Sequence, residues 1–262
     1  MKMNRFFLIY VIFFLFGCAN RIETLDSMVK SNSFKKEIYT TDLFEHLVIE
    51  NNKKSHSLHI YIEGDGIPWR TRTMISKDPT PHNPLALKLM SQDSSRAIYL
   101  GRPCYFGLNN AKNCSIKQWA SGRYGENIIT SMELVIRKYN KKNNIKQFVL
   151  IGYSGGGVIA TLLSDRFEED VAYVTIASNL DIDKWTELHD YSPLIHSLNP
   201  AKISLNKGRF GVHLVGSQDK NVPPEVVIDF IKQSNGKMVT YKGYNHICCW
   251  VDNWQRILNE NL

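Results

Sequence analysis

The chain has 262 residues, of which 43% are apolar and 22% charged, with a formal net charge of +7. That length and apolar share suit a single domain with a sizeable buried core. Its Lys and Arg residues are scattered rather than massed, Lys141-Lys142 falling in an expected turn, so the excess reads as a solvated face and argues against a nucleic-acid partner.

The chain opens with the basic stretch Met1-Lys2-Met3-Asn4-Arg5, followed by an unbroken apolar run from Phe6 to Phe16. This run falls well short of the ~20 residues that span a bilayer as a helix, so it reads as a secretory signal rather than a permanent span. Leu15-Phe16-Gly17-Cys18 resembles a bacterial lipobox, which implies cleavage before Cys18 and a lipid on that cysteine; ordinary signal cleavage nearby is the alternative. Cleavage removes Lys2 and Arg5 and no acid, lowering the formal charge by two. The expected organisation is a leader at 1–17, a polar tether at 18–40 that lacks periodicity, and a folded domain at 41–262. The expected location is the bacterial cell envelope outside the cytoplasm, lipid-anchored, in the outer membrane if the cell is Gram-negative.

Export makes disulfides possible. Cys104 and Cys114 flank the Gly107-Leu108-Asn109-Asn110 turn, and their spacing favours a local bridge among the three pairings open to four cysteines. Neither they nor Cys248-Cys249 has the Cys-x-x-Cys form of structural zinc sites, and no metal or cofactor is expected.

Beyond residue 40, short β-rich runs alternate with helical stretches. The runs are Leu47–Glu50, Leu58–Glu63, Ala97–Gly101, Gln147–Gly152, Val171–Ala177, Val212–Gly216 and Val239–Gly243. The fourth and fifth are almost continuously apolar, as for central parallel strands covered by helices on both faces, so the fold class is α/β. Asn83 as N-cap with Pro84 at the first helical position predicts a helix over Leu85–Leu89. A second helix is predicted over Asn127–Tyr139, ending in a turn at Asn140–Asn144, and a last one within Trp250–Asn261. Leu180–Arg209 is longer than a crossover needs and reads as a small cap.

Gly152-Tyr153-Ser154-Gly155-Gly156 sits directly after the Gln147 strand and directly before the helical run Val158–Leu163. A serine on a sharp strand-to-helix turn needs small neighbours, and the helix behind it points unpaired N–H groups at the reacting oxygen. Ser154 is therefore the candidate nucleophile, with the Gly155 N–H as a donor to a developing oxyanion. No Gly-Lys-Ser/Thr follows, so the phosphate-loop reading lacks its lysine.

A serine needs a histidine base oriented by a carboxylate. Asp219 lies just past the Val212 strand and His246 just past the last strand, giving the chain order Ser154, Asp219, His246 of α/β-hydrolases. Alternatives are His189 for the base and Asp181 or Asp183, which also read as helix caps, for the acid. After the Leu58 strand, Glu63-Gly64-Asp65-Gly66 supplies a second donor loop, with the Asp65 N–H nominated and Gly66 as alternative. The Asp65 carboxylate must then face away or pair with Arg70 or Arg72. Gly64, Gly66, Trp69 and Tyr153 are candidate pocket residues, while Trp185, Tyr191, Leu194 and Ile195 serve either an acyl pocket or helix packing.

These residues resemble the α/β-hydrolase superfamily, and more narrowly a group of uncharacterised bacterial lipoproteins with that fold. The resemblance runs from about Leu47 onward and rests on Tyr61–Gly66, Pro79–Leu87, Gly101–Cys104, Gly152–Gly157, Asn179–Asp181 and Ser192–Leu194. It implies a mostly parallel sheet with helices on both faces and a triad; it supplies no substrate. Glu63 stands where many esterases carry a histidine, and Asp65 is larger than usual there. The acids of the 180–209 segment make a polar cap for a long-chain lipase, so hydrolysis of a small or medium carboxylic ester is expected. A serine peptidase or amidase with the same triad, and a non-catalytic envelope scaffold, are the alternatives.

Overall fold

The computed structural model describes residues 21–205 and 208–262; the expected leader and Cys18 lie outside them. In chain order the elements are α1 (Arg21–Ser31), β1 (Lys35–Thr40), β2 (Glu45–Glu50), β3 (Ser57–Ile62), α2 (Leu85–Gln92), β4 (Ala97–Leu100), α3 (Glu126–Asn143) and β5 (Gln147–Tyr153). There follow α4 (Gly155–Ser164), β6 (Asp170–Ile176), α5 (Ile182–Leu188), β7 (Phe210–Gly216), α6 (Glu225–Gln233), β8 (Gly236–Tyr241) and α7 (Trp254–Asn261).

All seven expected strands form, within a few residues of the expected bounds. They belong to one eight-stranded sheet in the order β1-β2-β4-β3-β5-β6-β7-β8. Pairing is parallel from β4 to β8 and antiparallel for β1 with β2 and β2 with β4. Phe148, Leu150 and Ile151 of β5 and Val171, Tyr173 and Val174 of β6 are buried, so the continuous apolar runs do lie in the middle of the sheet. From β3 the chain first moves outward to β4 and then returns to the other side of β3 with β5. The order reverses between β3 and β5, and a crevice opens there beyond the carboxyl ends of the two strands.

Residues 21–40 are not a tether. Helix α1 and strand β1 belong to the folded body, and β1 pairs antiparallel with β2 from Lys35 opposite Glu50 to Thr40 opposite Glu45. The sequence shows no sustained period there because the face that packs α1 on the core, Leu25, Met28 and Val29, spans little more than one turn, and β1 buries only Tyr39. Arg21 is already fixed: its Nη1 donates to the carbonyls of Asp78 at 2.8 Å and Thr80 at 2.9 Å.

Two helix ends differ from expectation. Helix α3 runs on through Asn143 and stops at Asn144, whose left-handed conformation (φ 52°) brings its N–H to the Asn140 carbonyl at 2.7 Å. Helix α2 begins at Leu85 with no side-chain cap from Asn83 or Pro84. Its free N–H groups find a tertiary partner instead, the Glu63 carboxylate, which accepts from Ala86 N at 3.1 Å.

Cys104 and Cys114 are bonded, with Cα atoms 5.5 Å apart. Cys248 and Cys249 are bonded to each other.

Candidate active site

Ser154 ends β5 and opens α4 at φ 51°, ψ −125°, a backbone conformation disfavoured for an L-residue. Two backbone bonds hold it there: Ser154 N to the Ile176 carbonyl at 2.8 Å and Gly157 N to the Ser154 carbonyl at 2.9 Å. The turn is so tight that a Cβ on Gly152 would collide with the Gly156 carbonyl, and one on Gly155 with the Asp65 carboxylate. The glycines flanking the serine are therefore steric requirements.

The structure brings the three expected side chains into one hydrogen-bonded chain. His246 Nδ1 lies 2.9 Å from Asp219 Oδ2, and His246 Nε2 lies 3.2 Å from Ser154 Oγ. Because an ionised carboxylate only accepts, Nδ1 carries the proton and Nε2 presents a lone pair to the serine hydroxyl. Asp219 is buried, and its other oxygen accepts from Asn221 N at 2.9 Å and Val222 N at 2.8 Å, so its orientation is fixed by backbone.

The alternatives lie elsewhere. Asp181 caps α5, accepting from Lys184 N at 3.2 Å, and Asp183 pairs with Lys202. His189 stacks on Tyr191 with ring centroids 5.0 Å apart, and its Nε2 meets the Asn221 carbonyl at 2.7 Å.

Asn221 is a site residue that no motif in the sequence marks. Its side-chain nitrogen lies 3.1 Å from His246 Nε2, and its carbonyl accepts from Trp185 Nε1 at 2.9 Å as well as meeting His189. It thus joins the cap to His246. Its position two residues after Asp219 is the only signal in the sequence.

Asp65 pairs with neither Arg70 nor Arg72. Those two sit on an exposed turn closed by a Trp69–Ile75 bridge, whereas Arg102 and Arg123 reach Asp65 from inside the molecule. Asp65 accepts from Arg102 Nη1 at 2.6 Å, Arg123 Nη1 at 2.8 Å and the Tyr124 hydroxyl at 2.6 Å. Burial works to raise its carboxyl, but Arg123 and Arg102 outweigh that and hold it at about 2. The Tyr105 hydroxyl adds a bond to the Asp65 carbonyl at 2.9 Å. The loop is therefore held from both side chain and backbone, and its Gly64 lies so close to the nucleophile that a Cβ there would sit 3.2 Å from Ser154 Cβ.

Glu63, at the start of this loop, is fully buried. Besides Ala86 N it accepts from Gly64 N at 3.2 Å, with the Tyr99 hydroxyl at 3.5 Å. Burial dominates and pushes its carboxyl up from 4.5 to about 7 in spite of those donors.

A cavity of about 1040 Å³ opens above the triad. Ser154, His246, Gly64, Asp65, Gly66, Trp69 and Tyr153 all line it. From the cap, Trp185, Tyr191 and Leu194 line it too, whereas Ile195 is 75% exposed and is not among the lining residues. Among the described residues, no group of three or more His, Cys, Asp or Glu side chains is placed to hold a metal ion, and no helix is long and apolar enough to cross a membrane.

No family model matches the chain, and no curated protein does. Solved structures match. The esterase Pf2001 of Pyrococcus furiosus aligns at a TM-score of 0.62 and 14% identity, over 88% of this chain and 92% of its own. XC6422 from Xanthomonas campestris, described as an α/β serine hydrolase without lid, aligns at 0.57 and 12%, over 87% and 94%. A puromycin hydrolase mutant aligns at 0.59 and 13% over 86% of this chain and 37% of its own. At these identities the likeness is one of architecture, and the chain has the α/β-hydrolase fold.

Two predictions follow from the loop. Asp65→Asn strands two buried guanidinium groups without a counter-charge and should cost about 3–5 kcal/mol in urea unfolding; a loss below ~1 kcal/mol would remove the cluster from its structural role. For Glu63, the folded protein holds a proton that the unfolded chain releases between the ordinary carboxyl value of 4.5 and about 7. Its contribution is thus intact below pH 4.5 and lost as pH rises toward 7, by roughly 3 kcal/mol in all. Urea midpoints measured from pH 5 to 8 should show a downward component in the wild type that Glu63→Gln removes; an unchanged slope would contradict the assignment.

Proposed function

We propose that the chain is a serine hydrolase that cleaves a small or medium carboxylic ester. The observation that carries this reading is the continuous Asp219–His246–Ser154 hydrogen-bonded chain at the floor of the cavity. Support for the substrate size comes from a cavity comparable with the upper end of small-molecule sites, partly walled by Thr186, Asp190 and Ser192.

Ser154 Oγ attacks the ester carbonyl carbon while its proton passes to His246 Nε2. Asp219 stabilises the imidazolium that results and stays ionised. The carbonyl oxygen becomes an oxyanion, for which the Gly155 N–H at the start of α4 and the Asp65 N–H are the donors. Each such donor is worth about 10²–10³ in rate. Collapse breaks the bond to the leaving alkoxide, which takes the proton from His246 and departs as an alcohol. Water then gives its proton to His246 and attacks the acyl-serine, and collapse returns the proton to Ser154 and frees the acid.

Ser154→Ala should abolish labelling by a fluorophosphonate, and Asp219→Asn should cut kcat for p-nitrophenyl esters by about 10⁴. Labelling of the folded wild type no better than of heat-denatured protein would end the hydrolase reading. Turnover of aminoacyl anilides but of no ester would move the reaction to amides.

We also infer export and lipid anchoring through Cys18, on the residues around it alone. Cys18→Ser should release the protein from the membrane fraction, and continued membrane association would reject the anchor.

A further inference from the structure

The reaction as written leaves a set of cations unused. Arg70, Arg72 and Lys117 line the same cavity as Ser154 and His246, and all three are exposed. Among the described residues none of them enters an ion pair; the one side-chain bond found is Arg72 Nη2 to the His189 carbonyl at 3.5 Å. The inner guanidinium groups differ, because Arg102 and Arg123 are consumed by Asp65. The lining carboxylates do little to offset the outer three: Glu63 is turned to the start of α2 and Asp65 is neutralised, which leaves Asp190 alone on the rim.

These cations are carried on ordered backbone. The turn bearing Arg70 and Arg72 is closed by Arg70 N to the Met74 carbonyl at 2.8 Å and Ser76 N to the Pro68 carbonyl at 2.9 Å. Lys117 lies on a 3-10 turn, Ile116–Gln118, that Ser115 and Gln118 cap reciprocally. Trp119 Nε1 donates to the Ser76 carbonyl at 2.9 Å and so ties the two segments together. Trp69, Ile75 and Ile116 supply apolar wall beside the charges. An apolar wall leading outward from the nucleophile to unpaired cations matches an amphiphile: an ester with an anionic end remote from its carbonyl.

We propose that the cleft selects soluble esters that carry an anionic group away from the scissile carbonyl, bound by Arg70, Arg72 and Lys117. This rests on Ser154 being the nucleophile, and the test separates the two claims. Two fluorophosphonates of equal chain length are compared, one tipped with a methyl group and one with a carboxylate, and the rate of Ser154 labelling is read for each. The carboxylate probe should react roughly tenfold faster at low salt, as expected for a few solvent-exposed charge contacts, and the ratio should shrink in 0.5 M NaCl by about the loss of those contacts.

The ratio should fall to near one in Arg70→Gln/Arg72→Gln/Lys117→Gln. It should persist in the charge-keeping Arg70→Lys/Arg72→Lys/Lys117→Arg, which separates charge from folding. Equal rates in the wild type, or a ratio that survives the Gln variant, would overturn the proposal while leaving the hydrolase reading intact. Failure of both probes to label the folded protein would remove the hydrolase reading and the selectivity with it.

Discussion

The site is organised around a largely buried carboxylate. Asp65 holds Arg102, Arg123 and Tyr124 together above the first turn of α4, joining the loop after β3 to the segments that follow β4 and precede α3. Burying an ion is costly unless its partners are close and its remaining lone pairs are used, and here both carboxylate oxygens are engaged by charged donors. The Gly155 Cα is packed so tightly beneath Asp65 that the serine elbow and the ion cluster cannot move independently. The strain at Ser154 is stable because structure on both sides fixes it.

The crossover between β3 and β5 explains why these parts meet. A sheet whose order reverses leaves two loops diverging from neighbouring strand ends, and a ligand fits in the opening. One loop carries Glu63 to Gly66, the other carries Ser154. Asp219 and His246 arrive from β7 and β8, whose parallel registry places Gly216 beside Tyr241 and thus Asp219 within reach of His246. The cap rests on this frame through Asn221, whose carbonyl meets both Trp185 and His189.

Much of this was legible in the sequence because its signals are local. Seven strands announce themselves as short apolar runs, the elbow by glycines around a serine between a strand and a helix, and the hydrogen-bonded chain of Ser154, His246 and Asp219 by the order of three residues at strand ends. What was not legible depends on partners distant in the chain. Nothing near Asp65 indicates that its counter-charges lie at 102 and 123, and the nearer Arg70 and Arg72 were the natural choice by proximity. Likewise Glu63, 23 residues before the Ala86 N–H it accepts from, takes the place of the N-cap expected from Asn83. Helix α1 and strand β1 show no sustained period because α1 presents only the short face Leu25, Met28 and Val29 and β1 buries only Tyr39, so pairing and polar bonds carry much of their attachment to the body.

The fixing of Arg21 has a mechanical side. Its guanidinium grips the carbonyls of Asp78 and Thr80, and the carbonyl between them, that of Pro79, accepts from Ile67 N at 2.8 Å just past Gly66. A pull on the amino end of the folded body is therefore borne by the same three residues that brace the donor loop over Ser154.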